Sequence, residues 1–207
     1  MAIKHMQQPY VRGRYQKEEE IGVERFISLS NHFRDYFSLT AETGFGAVFD
    51  IAAEDFTGGT LGIENKVRNK PHDAWDTTII EPEKMKNLIS IWRNHWIQPL
   101  YINYWADGHI YIFDIARLSD AGYTNGFEVE WFPSIKWNNP DDGNKYAKSE
   151  YRIKIPNRFA IHLDENYRVV NRKEYNELFS KPVVQRQECR INFDDLSKEK
   201  INSMIHG

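Results

Sequence analysis

The chain has 207 residues, 41% of them hydrophobic and 28% charged, with a formal net charge of -3. That length accommodates one well-buried core, and the composition is that of a globular protein rather than a disordered or fibrous one. The acidic balance gives no global electrostatic attraction for nucleic acid, so such a contact would have to come from local patches, and the lone Cys189 excludes an internal disulfide.

The opening MAIKHMQQPYVRGRY lacks the apolar run of a signal peptide, and no stretch approaches membrane-spanning length. A cytoplasmic location and no membrane partner are therefore expected. Residues 16 to 37 place Ile21, Ile27, Leu29, Phe33 and Phe37 at roughly helical spacing behind an acidic first turn, which predicts an amphipathic helix. AVFDIAAED and TLGIENKVR, joined by the glycine turn FTGG, predict a β-hairpin. NKPHDAWD reads as a loop, and EPEKMKNLISIWRNHW as a second helix, with Pro82 in its first turn and Met85, Leu88, Ile89 and Trp92 on one stripe. PLYINYWADGHIYIFDIARL predicts a second hairpin about Ala106-Asp107-Gly108. From about residue 123, FEVEWF, YRIKI, FAIHLD and RVV are shorter strand candidates that extend or cap the same sheet, followed by a small helix RKEYNELF. No repeat or linker divides the chain. A single domain over 1–207 is expected, with a core of about 16–118 and a β-rich elaboration over about 119–207.

Two charges stand out inside the apolar run TLGIENKVR. Strand side chains alternate faces, so Glu64 and Lys66 project together while Ile63, Asn65 and Val67 turn the other way. A hairpin centred on EDFTGG brings Asp50 alongside them. Two carboxylates suit Mg²⁺, with Mn²⁺ as a substitute, and a neighbouring lysine can offset charge on an attacked phosphate or assist an attacking water. Asp55, beside FTGG, is expected to cap the turn instead.

These residues resemble the PD-(D/E)XK nuclease superfamily: a helix bearing Glu24, then FDI with Asp50, then IENK as the Glu-x-Lys element, then a helix and the strand PLYINYW. The resemblance covers about residues 16 to 115, with Phe49 where the family name has Pro. It implies a restriction-endonuclease-like α/β (α+β) fold, a central mixed sheet flanked by helices in an α-β-β-β-α-β core, with SLTAETGFG hiding the first strand and extra strands at the C-terminal end. It further implies a DNA nuclease in which Asp50 and Glu64 bind the metal, Lys66 is the catalytic lysine, and Glu24, or Glu20 one turn earlier, completes the acidic cluster. DNA is the implied partner, and a homodimer is left open.

Arg68, Lys70 and His72 follow the cluster immediately and are candidates for phosphate contact, against the alternative of a solvated loop. Basic residues from Lys145 to Arg158 interleave with Tyr146, Tyr151 and Phe159, a pattern shared by nucleic-acid platforms and by edge strands protected with lysine. The seven histidines show no metal-binding spacing, and Trp92, Trp96, Trp105, Trp131 and Trp137 are expected as core anchors. Other readings stay open: an exposed cross-strand ion pair at Glu64 and Lys66, a non-catalytic nucleic-acid- or protein-binding module on the same core, and an aromatic-lined carbohydrate binder.

Overall fold

A computed structural model describes residues 15–33, 37–42, 49–55, 57–132 and 150–180. Helix α1 (Tyr15–His32) leads into β1 (Phe37–Glu42), β2 (Ile51–Asp55) and β3 (Thr60–Val67). Next come β4 (Thr77–Ile80), α2 (Pro82–His95), β5 (Gln98–Tyr104), β6 (Ile110–Asp114) and a short α3 (Ile115–Asp120). The chain continues through β7 (Glu128–Phe132), β8 (Glu150–Pro156), β9 (Ile161–Leu163) and α4 (Arg172–Ser180). The fold is α/β, with a mixed six-stranded sheet in the order β1-β2-β3-β5-β6-β9 and a separate three-stranded sheet β4-β8-β7.

The hairpin of β2 and β3 is antiparallel, with Ile51 opposite Ile63, whereas β3 runs parallel to β5 with α2 in the crossover between them. A strand in the middle of such a sheet is covered on both faces. On one face α1 lays Phe26 and Leu29 against Ile51, Ala53, Leu61, Ile63, Ile102 and Tyr104. On the other, α2 contributes Met85, Leu88, Ile89 and Ile91 to a core with Tyr101, Trp105, Phe113, Ile153 and Ile155. Leu88 and Phe113 are completely buried, and truncating either to Ala is expected to cost about 3 kcal/mol. Pro82 starts α2 where its missing N–H is no loss, and Trp96 ends it in the left-handed region at φ 57°, its N–H bonded to the Trp92 carbonyl.

Several expectations are corrected. Ile27 is exposed, and the inward stripe of α1 runs through Gly22, Phe26 and Leu29. TTII is a strand, β4, that pairs with β8 rather than with its sequence neighbours. The YRIKI run is therefore the centre of the second sheet, not an edge strand, and Lys154 is paired with Glu128 and Glu130 of β7. Only β9 of the later strands joins the large sheet, and RVV contributes a single bridge, Leu163 to Val169. DIARL bends into α3 because the Asp114 side chain accepts the Arg117 N–H as an N-cap. Of the tryptophans, Trp105 is a core anchor, but Trp96 is 75% exposed, Trp75 52% and Trp131 41%. Trp137, Lys145, Tyr146 and Lys148 lie outside the described residues.

Candidate active site

Asp50 occupies the bend before β2. Its N–H donates to the Ile63 carbonyl at 2.9 Å, and its Oδ2 accepts the Asn65 N–H at 2.7 Å. These two bonds clamp its carboxylate across the hairpin next to Glu64. Gly62 supports the clamp from below: a Cβ there would lie 2.8 Å from Cδ1 of Phe49 and 3.1 Å from Cγ2 of Ile97. The ring of Phe49 thus occupies the space a side chain at position 62 would fill, and Phe49 is the residue before Asp50.

Alternation along β3 turns Glu64 toward α2, and the α1 face holds Ile63 and Asn65, the latter against Gly22, whose Cβ would be 3.1 Å from that of Asn65. Lys84 reaches down from the first turn of α2 and places Nζ 2.9 Å from Glu64 Oε2. The Glu64 side chain is 5% exposed and that of Lys84 27%. An exposed cross-strand pair of Glu64 with Lys66 is therefore not what forms. Glu64 is buried, and its direct partner is Lys84.

Burial first, and the charge of Asp50 second, push Glu64 up from 4.5 to about 7, against the pull of Lys84 and Lys66. Asp50 is raised too, again by burial, although the Asn65 N–H and the two lysines oppose it. Near neutrality the two carboxyls behave as a unit that retains a proton, with Glu64 donating to Asp50. Burial pulls Lys66 down, but Tyr101, Glu81 and Glu64 outweigh it and hold the amine above its ordinary value. Lys66 is consequently an ammonium, a donor and a charge rather than a base.

The remaining sequence candidates separate. Glu24 is exposed on α1, and its carboxylate makes no hydrogen bond or ion pair among the described residues; Glu20 is exposed as well. Asp55 does cap the turn, its Oδ1 accepting from the N–H groups of Thr57 and Gly59, both at 2.8 Å. Arg68 points inward: Nε donates to Asn103 Oδ1 at 2.8 Å, and Nη2 to the Ile79 carbonyl and the Tyr101 hydroxyl at 3.1 and 3.0 Å. Its guanidinium thus joins β3 to β5 and to the residue before the end of β4. Lys70 is exposed, and the His72 ring is engaged by Asp107.

Two participants were not foreseen. Lys84 precedes Leu88 by one helical turn, so the buried stripe already marked its flank as facing the sheet. Glu81, beside Pro82, acts on Lys66 by charge. The histidines also depart from expectation, because His72, His109 and His162 converge from three segments of the chain. Burial together with the charges of His109 and His72 lowers His162 to about 4.

No family model matches the chain, and no curated protein does. Among solved structures it is similar to Hjc, a Holliday junction resolvase of the archaeal hyperthermophile Archaeoglobus fulgidus, with 12% identity and a TM-score of 0.41 over 66% of this chain and 87% of that one. A likeness at that level transfers no residue role. No helix among the described residues is long and apolar enough to cross a membrane.

Proposed function

We propose that the protein is a metal-dependent nuclease that hydrolyses phosphodiester bonds of DNA, with Asp50 and Glu64 as metal ligands and Lys66 at the reacting phosphate. The observation that carries this is two mutually repelling carboxylates held together in a buried place, with Glu64 raised to about 7, beside the ammonium groups of Lys66 and Lys84. Burying one carboxylate against another is unfavourable and needs a compensating cation. Hard oxygen donors of this kind fit Mg²⁺, and Mn²⁺ in its place. When bound, such an ion supplies Lewis-acid polarisation of the phosphodiester and makes water a better nucleophile at neutral pH.

The chain's own residues do the rest. Asn65 holds Asp50 through its backbone N–H and keeps one carboxylate oxygen in place. Glu64 releases the proton of the pair at Oε as a cation approaches. Lys66 donates N–H bonds to the water or to a phosphate oxygen and offsets the charge that builds on the phosphate. Exposed Lys70 is the phosphate contact this arrangement leaves at the edge of the site, since Arg68 is bonded inward. Glu24, exposed on α1, has no role in this arrangement.

The test is cleavage of plasmid DNA with and without Mg²⁺ or Mn²⁺. Wild-type chain cleaves with metal, and Asp50→Asn and Lys66→Met lose at least about a hundredfold while still unfolding cooperatively from a folded state. Full activity in either variant overturns the proposal. A second reading rests on Lys84, which already neutralises Glu64 as a bound cation would. In that case the chain is a non-catalytic binding module, and calorimetric titration with Mg²⁺ shows no heat dependent on Glu64.

A further inference from the structure

Imidazole nitrogens of His72, His109 and His162 lie within 4.8 Å of one another. They come from the 3₁₀ turn His72–Ala74 after β3, the β5–β6 turn and β9, segments that only the fold brings together. His109 Nδ1 and His162 Nε2 are 2.7 Å apart and share a proton. The His72 ring stacks on His109, centroids 3.7 Å apart and planes 13° from parallel, and Tyr111 backs His162 edge-on at 4.6 Å.

Each ring is held by its backbone. The His72 N–H donates to Asp107 Oδ2 at 3.0 Å, the His109 carbonyl accepts from Trp105 at 2.9 Å, and the His162 N–H donates to Asn171 Oδ1 at 2.9 Å. Carboxylates lie on the outside of the group. Asp107 Oδ2 also takes the Nδ1 proton of His72 at 2.7 Å, which leaves Nε2 of that ring with its lone pair, and Glu165 Oε2 is 3.5 Å from His109 Nε2. A carboxylate that orients a histidine through one nitrogen while the other stays a donor is the usual support for a metal-bound imidazole.

We infer that His72, His109 and His162 form a second metal site, selective for a borderline divalent ion of the Zn²⁺ class and separate from the carboxylate pair. Nitrogen donors suit Zn²⁺, Co²⁺, Ni²⁺ and Cu²⁺ and discriminate against Mg²⁺. Ligands about 2.0 Å from a tetrahedral ion are about 3.3 Å from one another. The ion therefore replaces the proton between His109 and His162 and widens that gap by about half an ångström, and His72 turns out of its stack to present Nε2. Glu165, against the other nitrogen of His109, supports that ring from outside the ion. The role is a clip: one ion ties the loop after β3, which carries Lys70, to the β5–β6 turn and to β9. The inference does not depend on nuclease activity.

The test is titration of chelator-treated wild-type chain with Co²⁺, followed by visible absorption. The expected result is one strongly absorbing, nitrogen-rich Co²⁺ per chain, displaced by Zn²⁺, with Zn²⁺ also raising the melting temperature. A cobalt ion at Asp50 and Glu64, six-coordinate and oxygen-bound, absorbs only weakly, so the two sites are told apart in one experiment. His162→Gln and His72→Gln lower the apparent Co²⁺ affinity at least about tenfold, and Asp50→Asn leaves it unchanged. Should His162→Gln not fold, His72→Gln decides, since its ring is 25% exposed. Absence of the strong bands in wild type, or unchanged affinity in His72→Gln, overturns the inference.

Discussion

Glu64→Gln isolates the energetic signature of the carboxylate pair. Glu64 titrates at 4.5 when unfolded and at about 7 in place, a difference of about two and a half units, or about 3 kcal/mol at about 1.4 kcal/mol per unit. Between those two values the folded chain keeps a proton that the unfolded chain has released, so stability falls as pH rises. The contribution is fully present below pH 4.5 and lost above about pH 7. His162, lowered to about 4, works in the opposite direction between that value and 6.5, because there the unfolded chain holds the extra proton. Its effect is common to wild type and variant and drops out of the difference. Urea unfolding of both proteins from pH 4.5 to 8 in the presence of a chelator gives that difference curve. Wild type should lose about 3 kcal/mol relative to Glu64→Gln as pH rises across the window. Saturating Mg²⁺ at pH 8 should then restore wild type by about 2.7 kcal/mol at a hundredfold excess over Kd, and leave the variant unchanged. A flat or rising difference curve refutes the burial and repulsion argued for the pair. A falling curve without Mg²⁺ rescue keeps the pair but refutes it as a metal site.

Asp50→Ala and Asp55→Ala should divide cleanly, the first abolishing metal-dependent cleavage and the second leaving kcat intact while reducing stability through the turn, as nuclease assay and thermal melting would show. Gly62→Ala places a methyl on the Phe49 ring and should cost about 1–3 kcal/mol in urea unfolding, with a loss of cleavage that Gly58→Ala does not reproduce. Arg68→Ala should destabilise by about 1–3 kcal/mol by leaving Asn103 Oδ1 without its donor, while the Ile79 carbonyl keeps the Tyr101 hydroxyl. Lys70→Ala should barely alter stability but reduce the salt dependence of DNA binding by about one phosphate contact, read from affinity against salt concentration.

Much of the hairpin was legible because its signals are local. The glycine turn fixes the register, alternation sets Glu64 apart from Ile63, and the place of Asp55 as the cap of the turn followed from turn chemistry alone. Strand β1 was legible only as a segment needed by an α-β-β-β-α-β order, which the chain does follow apart from the diversion of β4 into a second sheet. What escaped is non-local. Lys84 meets Glu64 because a crossover helix lies over a parallel pair, and nothing in the periodicity of either segment sets their relative height. The histidines at positions 72, 109 and 162 have no common spacing, since strand pairing rather than helical or turn geometry assembles them. TTII is four residues long, too short for alternation to stand out, and its partner β8 lies more than seventy residues away. The exposed Trp96 misled because its place at the end of α2 resembles a continuation of the buried stripe, whereas the left-handed cap swings it outward.

The parallel pairing of β3 with β5 has a consequence for how the protein comes into being. An antiparallel hairpin closes over a few residues, and the Asp50 clamp on Asn65 can form with it. Lys84, Tyr101 and the neighbours that outweigh burial at Lys66 arrive only once the crossover has closed, a slower event that brings distant residues together. A nascent chain that has made the hairpin but not the crossover holds two carboxylates with Lys66 beside them but without the Lys84 ammonium that meets Glu64 in the finished fold. Maturation of the site thus waits on long-range assembly, and a chain still folding carries the acidic pair with only one of its two lysines.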